Sequence, residues 1–148
     1  MKDNIFYPID GQQRLTTLFL LHWYFALKEK EIVSNDYKSK LSQFVYDTRI
    51  SSREFCQSLI KEDIEVPVTI DDDTFINAIK NKPWYRDKWD TDPTIKAMLV
   101  MIQDIHNKFY NINSSSVFTQ LVNENSISFE LLDLGAKGFE LTDELYIK

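Results

Sequence analysis

The chain has 148 residues, of which 43% are hydrophobic and 14% aromatic, and its 17 basic and 23 acidic side chains give a formal net charge of −6. This size and apolar content predict one domain with a packed core over residues 1–148. The acidic balance disfavours the concentrated basic face that nucleic-acid binding normally needs, so we expect no direct DNA binding.

Cysteine and histidine usage excludes two further classes. The single cysteine rules out an internal disulfide, and the two histidines, His22 and His106, lie too far apart to form a zinc motif. The lack of an internal disulfide fits a protein that works in a reducing environment. We therefore expect a cytoplasmic location.

The first segment predicts a strand, a turn and a long helix. Residues 4–9 are rich in β-branched and aromatic side chains, and Pro8 favours the edge of a sheet or the end of a strand. Gly11 permits a sharp turn or a close approach to a ligand. No helix-breaking residue follows between Gln12 and Lys30, which predicts a helix there.

This junction between turn and helix is a candidate anion site. The first amide groups of a helix lack intrahelical partners and carry partial positive charge. Arg14, in the first turn, would add a guanidinium able to hold two phosphate oxygens. Asp10 has three interpretations: a ligand of Mg²⁺, a group that orients a water molecule, or a helix cap. A plain cap and a surface arginine remain the competing interpretation, because the segment is no Walker A loop.

The apolar run at residues 18–27 predicts a buried helix. It is about ten residues long, whereas a span of the bilayer needs roughly twenty. The first three residues, which precede the turn, also lack the pattern of a secretory signal. We expect no membrane association.

Two further helices are predicted in the next third of the chain. A turn at residues 34–36 precedes a second helix, whose apolar positions are Leu41, Phe44 and Val45. Ser51 and Glu54 match a capping box at the start of a third helix, whose apolar positions are Phe55, Leu59 and Ile60. Cys56 is expected to pack as a small hydrophobic residue rather than act as a nucleophile.

The acidic run at residues 71–73 predicts the start of a fourth helix, with a metal site as the less favoured alternative. Pro83 cannot continue that helix and should end it. We expect Trp84 and Trp89 to anchor the following loop to the core.

The fifth helix has the clearest boundaries. Asp92 is a cap, Pro93 suits the first helical position, and apolar residues follow the helical period to about Tyr110. His106 lies one step off that apolar stripe. We therefore expect it at the boundary of the core rather than as a ligand.

The last part of the chain predicts one short helix, one strand and one helix start. Serines at 114–116 cap the short helix, which carries Phe118, Leu121 and Val122. Residues 127–133 alternate as in a strand, and Thr142 starts a final helix.

Residues 10–18, with the sequence DGQQRLTTL, resemble the hallmark of the DGQQR family, the N-terminal domain of GmrSD-type modification-dependent restriction and related phage-defence proteins. Residues 46–56, 92–96 and 141–148 resemble further blocks of one branch of that family. The resemblance implies a ParB-like α+β core elaborated by helices, which binds and hydrolyses nucleoside triphosphate. The expected fold class is mainly α, a multi-helical domain with a few short strands.

The chain also departs from the family pattern. Family members carry a long portion upstream of the hallmark, whereas only nine residues precede Asp10 here. They also usually continue beyond the position of Lys148. The chain is thus expected to be a fragment of such a domain, with an incomplete site and no activity of its own.

The resemblance implies a role for each residue of the hallmark loop. Backbone amides after Gly11 hold phosphate oxygens, and Arg14 neutralises their charge. Asp10 organises Mg²⁺ or the attacking water, and Gln12 and Gln13 orient water or phosphate by hydrogen bonds.

Two questions stay open at the level of sequence. Arg49 and Arg53 flank two serines at a helix start, and they serve either the nucleotide phosphates or an internal salt bridge. The alternative function is a non-enzymatic helical module that forms homo-oligomers or pairs with a missing half, because truncation exposes apolar surface.

Overall fold

The fold comes from a computed structural model, which describes residues 11–30, 35–122, 124 and 126–128. The described helices are α1 (Gln12–Lys28), α2 (Asn35–Leu41), α3 (Ile50–Lys61), α4 (Thr74–Lys80), α5 (Pro93–Phe109) and α6 (Ser114–Val122), with a 3₁₀-helix at Asp87–Thr91. The described residues contain no β-strand, so the mainly helical class is confirmed. The strand predicted at 4–9, most of the strand predicted at 127–133 and the helix predicted from Thr142 lie outside the described residues.

Helices α1 and α5 form the centre of the molecule and run in the same direction. Tyr24 contacts His106, and Phe25 meets Phe109 edge-on with ring centroids 5.3 Å apart. At the end of α1, Lys28 Nζ donates to the carbonyl of Phe109 at 3.0 Å. Residue numbers therefore rise in the same direction along both helices, so the two N-termini lie at the same end. The segment containing α2, α3 and α4 supplies the crossover that parallel neighbours need.

A second cluster packs α3 and the 3₁₀-helix against α5. Trp89 is fully buried and meets the ring of Phe55 edge-on at 5.4 Å. Trp84 and Tyr85 pack around the same indole. The prediction that tryptophans anchor the loop after Pro83 is confirmed.

The start of α4 is capped by a side chain from α5. Asp73 adopts a left-handed conformation (φ 62°), and its side chain makes no capping hydrogen bond. Instead Gln103 Oε1 accepts from the amides of Phe75 at 2.7 Å and Ile76 at 3.3 Å. Gln103 Nε2 also donates to Asn107 Oδ1 at 2.8 Å, which fixes the amide. The acidic run does precede a helix, as predicted, but a distant residue provides the cap.

Helix α2 is shorter than predicted. It ends at Leu41, so Phe44 and Val45 lie beyond it, and Val45 is 51% exposed. Phe44 instead turns back and stacks on Phe19, with ring centroids 4.7 Å apart. An aromatic contact with α1 thus replaces the last predicted turn of α2.

The predicted capping box of α3 is wrong. The helix begins at Ile50 with Arg49 at the N-cap, and the Arg49 side chain makes no capping hydrogen bond. Glu54 faces away from the helix start and pairs with Arg86 at 2.7 Å and Lys88 at 3.2 Å. The Glu54 carboxylate thus pairs with two cations of the later loop instead of an amide at the start of α3.

His106 is fully buried, so its expected place at the core boundary is wrong. Its Nε2 lies 3.0 Å from the Thr69 carbonyl and its Nδ1 lies 3.2 Å from the Tyr24 hydroxyl. Because both ring nitrogens have partners, the imidazole can enter the core without an unsatisfied polar atom.

Cys56 is buried, as predicted, and burial raises the pKa of its thiol to about 12. The thiolate form is therefore scarce at neutral pH, which fits a packing role. In the part of the chain that the structure describes, no helix is long and apolar enough to cross a membrane.

Candidate functional site

A cleft of about 600 Å³ lies between the N-terminal halves of α1 and α5. From α1 it is lined by Gln12, Gln13, Thr16, Thr17 and Leu20. From α5 it is lined by Pro93, Thr94, Ala97, Met98 and Met101. Tyr46 and Arg49, from the loop between α2 and α3, form the remaining wall. The volume is in the range of clefts that bind small molecules.

The starts of two helices and the N-cap residue of a third lie at one end of this cleft. The first residues of α1 and α5 line it, together with the N-cap residue of α3. Gly11, the N-cap of α1, has φ 84° and no side chain with which to cap the helix. The first turns of α1 and α3 contain no acidic residue, whereas Asp92 caps α5 and accepts from Thr94 N at 2.8 Å. The dipole of α1 therefore adds positive potential to this end of the cleft, whereas the Asp92 carboxylate offsets the dipole of α5.

Arg49 adds a full positive charge at the same end. Its guanidinium donates to the hydroxyl of Thr94, which connects the start of α3 to the start of α5. Within the described residues no carboxylate forms an ion pair with Arg49. The side chain is solvent-exposed, so an anion entering the cleft can reach it.

Tyr46 closes the side wall through a chain of hydroxyl hydrogen bonds. Thr16 Oγ1 donates to the Gln12 carbonyl at 2.8 Å, so its lone pairs are left to accept from the Tyr46 hydroxyl. Burial, the largest effect, raises the pKa of Tyr46, while the hydrogen bond to Thr16 lowers it. The hydroxyl thus stays protonated at neutral pH and acts as the donor.

The structure brings together three of the predicted site residues. Gln12, Gln13 and Arg49 all line the cleft. Arg14 does not line it; its Nε and Nη2 lie 3.9 Å from the position that a Cβ on Gly11 would occupy. The guanidinium therefore lies over the turn, on the exposed side of the first helical turn.

Arg53 is placed differently from Arg49. Its Nε donates to the Tyr46 carbonyl at 2.9 Å and its Nη2 donates to the Asp47 carbonyl. These bonds hold the loop that carries the cleft wall, and Arg53 does not line the cleft. Asp10 lies outside the described residues.

Sequence reasoning did not single out the roles of Thr16, Tyr46, Thr94 and the methionines of α5. One signal was present, because Thr16 follows Gln12 by four residues and so shares its helical face. Thr94 and Met98 share a face of α5 in the same way. The parallel pairing of the two helices had no signal in the sequence pattern.

No described group of three or more His, Cys, Asp or Glu residues is arranged to hold a metal ion. Asp92, which precedes the lining residue Pro93, is engaged as the cap of α5.

The model of one protein family matches almost the whole chain. This family is the N-terminal domain of the GmrSD restriction endonuclease, and the match covers residues 1–143. The chain belongs to this family. Membership indicates an N-terminal domain of a restriction-type, phage-defence protein. A search of curated proteins and a search of solved structures each find no match.

Proposed function

We propose that this chain is part of the nucleotide-binding, nucleoside-triphosphate-hydrolysing domain of a prokaryotic modification-dependent restriction or phage-defence protein. The DGQQR loop, in a ParB-like core, would begin at Asp10 and lead into α1. Family membership supports the phage-defence setting. The nucleotide assignment rests on the resemblance of residues 10–18 and on the chemistry of the cleft.

The observation that carries the proposal is that the starts of α1 and α5 and the side chain of Arg49 line one cleft of about 600 Å³. Parallel helices place like ends of their dipoles side by side, which is unfavourable. The start of α5 already has the Asp92 carboxylate on its amides, so an anion in the cleft would be held by the start of α1 and by Arg49. Phosphate groups can accept hydrogen bonds from both.

The cleft residues have separate roles in this proposal. Gln12 and Gln13 hydrogen-bond phosphate oxygens or the attacking water. Arg49 exchanges its bond with Thr94 for a charge-assisted bond to phosphate. Arg14, over the turn at Gly11, neutralises charge at the mouth of the site. Mg²⁺, when bound through Asp10 and phosphate oxygens, supplies further charge neutralisation.

Calorimetric titration of this chain with a panel of nucleoside triphosphates, with and without Mg²⁺, tests the proposal. Arg49→Ala is expected to weaken nucleotide binding about tenfold or more, since hydrogen bonds to charged groups contribute about 1.5–3 kcal/mol. Lys61→Ala is the matched control, because it removes one positive charge from the exposed far end of the same helix. Equal affinities for the parental chain and Arg49→Ala, or no binding to any nucleotide, would contradict the proposal.

The second candidate is the helical interaction module. Light scattering with and without nucleotide separates the two functions. Dimers that form independently of nucleotide, in a chain that binds none, would favour the module.

A further inference from the structure

The cleft has two chemically different halves. At the helix starts its lining is polar, with Gln12, Gln13, Arg49 and Thr94. Met101 lies eight residues beyond Pro93 on α5, about 12 Å along the helix axis. The apolar part of the lining consists of Leu20, Ala97, Met98 and Met101, with Ala97 and Met98 about 6 and 7.5 Å along α5 from Pro93. Thr16, Thr17 and Tyr46 also line the cleft.

The apolar half offers a floor and a wall. Leu20 is fully buried and Met98 is 2% exposed, so both form the floor. Ala97 is exposed and Met101 is half-buried, so these two present the accessible wall. Methionine thioethers are polarizable and make favourable contacts with aromatic rings.

We propose that the apolar half of the cleft is the platform for the nucleobase, with the phosphates at the helix N-termini and Arg49. This inference rests on the proposed function and specifies how the nucleotide lies in the same cleft. The ligand class is a flat aromatic heterocycle joined to an anionic chain. Its base is held by contact with Ala97, Met98 and Met101 rather than by hydrogen bonds.

Continuity between the two halves favours this occupant. A purely anionic ligand such as inorganic triphosphate would fill the polar half and leave Ala97 and the half-buried Met101 in contact with water. An apolar ligand would leave Arg49 and the helix starts without an anion. A nucleotide matches both halves at once, because it carries its aromatic and anionic parts at opposite ends.

The experiment compares inorganic triphosphate with ATP and UTP, taking whichever nucleotide binds the chain more tightly. Contacts between sulfur and an aromatic ring, together with burial of the base, should make the nucleotide bind about tenfold more tightly than inorganic triphosphate. Ala97→Trp fills the apolar half and is expected to remove this advantage, while the affinity for inorganic triphosphate changes by less than about twofold.

Val100→Trp is the matched control. Val100 is 54% exposed on the same helix and does not line the cleft, so the added indole should leave both affinities unchanged. If circular dichroism indicates that Ala97→Trp does not fold, Met101→Gln replaces it. That variant puts an amide on the half-buried wall and is expected to weaken nucleotide binding several-fold but spare inorganic triphosphate.

The outcomes separate this inference from the proposed function. Equal affinities for nucleotide and inorganic triphosphate would overturn the platform and keep the phosphate site. Nucleotide binding that both cleft variants leave intact would also overturn it. Failure of both ligands to bind would overturn the proposed function, and the inference with it.

Discussion

Thr16 and Tyr46 illustrate how single hydroxyl groups shape the cleft. Thr16 has one proton and gives it to the Gln12 carbonyl, one turn back in α1. It therefore accepts from Tyr46, whose ring also meets Phe44 edge-on at 5.5 Å. Phe44 in turn stacks on Phe19, so one polar and one aromatic contact hold the loop wall to α1.

Tyr46→Phe tests the polar contact at the residue scale. The substitution keeps the ring but removes the hydroxyl, and Thr16 keeps its bond to Gln12. We expect the free energy of unfolding to fall by about 0.5–1.5 kcal/mol, the usual net contribution of one hydrogen bond. Urea unfolding measures the difference, and an unchanged midpoint would show that the hydroxyl contact contributes nothing.

At the scale of elements, two helix ends are completed by side chains from other helices. Gln103 of α5 caps the start of α4, in place of a local residue. Lys28 of α1 donates to the carbonyls of Phe109 and Tyr110 at the end of α5, at 3.0 and 2.7 Å. These bonds satisfy backbone groups that a helix leaves open and tie neighbouring elements together.

Gln103→Ala tests whether α4 depends on the cap that the Gln103 side chain provides from α5. The Phe75 amide would remain buried without a partner, so we expect a loss of about 1–3 kcal/mol in the free energy of unfolding. Gln120→Ala is the control, since that glutamine is exposed on α6. If urea unfolding gave the same loss for both variants, Gln103 would have no capping role.

At the scale of the whole molecule, a chain with net charge −6 has an exposed arginine, Arg49, at a cleft between two parallel helices. The parallel arrangement of α1 and α5 brings the starts of both helices to that end of the cleft. Net charge alone predicts behaviour at long range, whereas the arrangement of the helices determines which side chains line the cleft.

Buried tyrosines in the core make the stability of the whole domain depend on pH. Burial raises the pKa values of Tyr24 and Tyr37 from 10.0 to about 12. The unfolded chain releases these protons near pH 10 while the folded chain retains them, so the free energy of unfolding should fall as pH rises from about 10 to 12.

Urea unfolding between pH 8 and 12 measures this alkaline decline. Tyr37→Phe removes one of these groups and should reduce the decline by up to about 2 kcal/mol at the upper end. A variant that lost stability as steeply as the parental chain would show that burial of Tyr37 does not control the effect.

Much of the helical framework follows from local signals. Asp92 and Pro93 start α5, Pro83 lies beyond the end of α4, and apolar spacing places α1 and α3. Gln12, Gln13 and Arg49 were candidates for the site on sequence grounds, and all three line one cleft. Their role in nucleotide binding remains a proposal.

The errors arise where partners lie far apart in the chain. The capping-box prediction ignored the two cations, Arg86 and Lys88, that hold Glu54. The prediction for His106 ignored Tyr24, which is 82 residues away. Periodicity describes how polar a helical face is, but it cannot indicate that a buried hydroxyl and a carbonyl will satisfy an imidazole.

The amino-acid sequence by itself determined the helical class, the main helix boundaries and the family, because capping residues, prolines and apolar spacing act over a few neighbouring positions. Only the tertiary structure decided that α1 and α5 run parallel and that the start of α3 joins theirs. That arrangement depends on packing between residues about 80 positions apart, such as Tyr24 with His106 and Lys28 with Phe109. Local preferences carry no information about such contacts. These long-range contacts create the cleft.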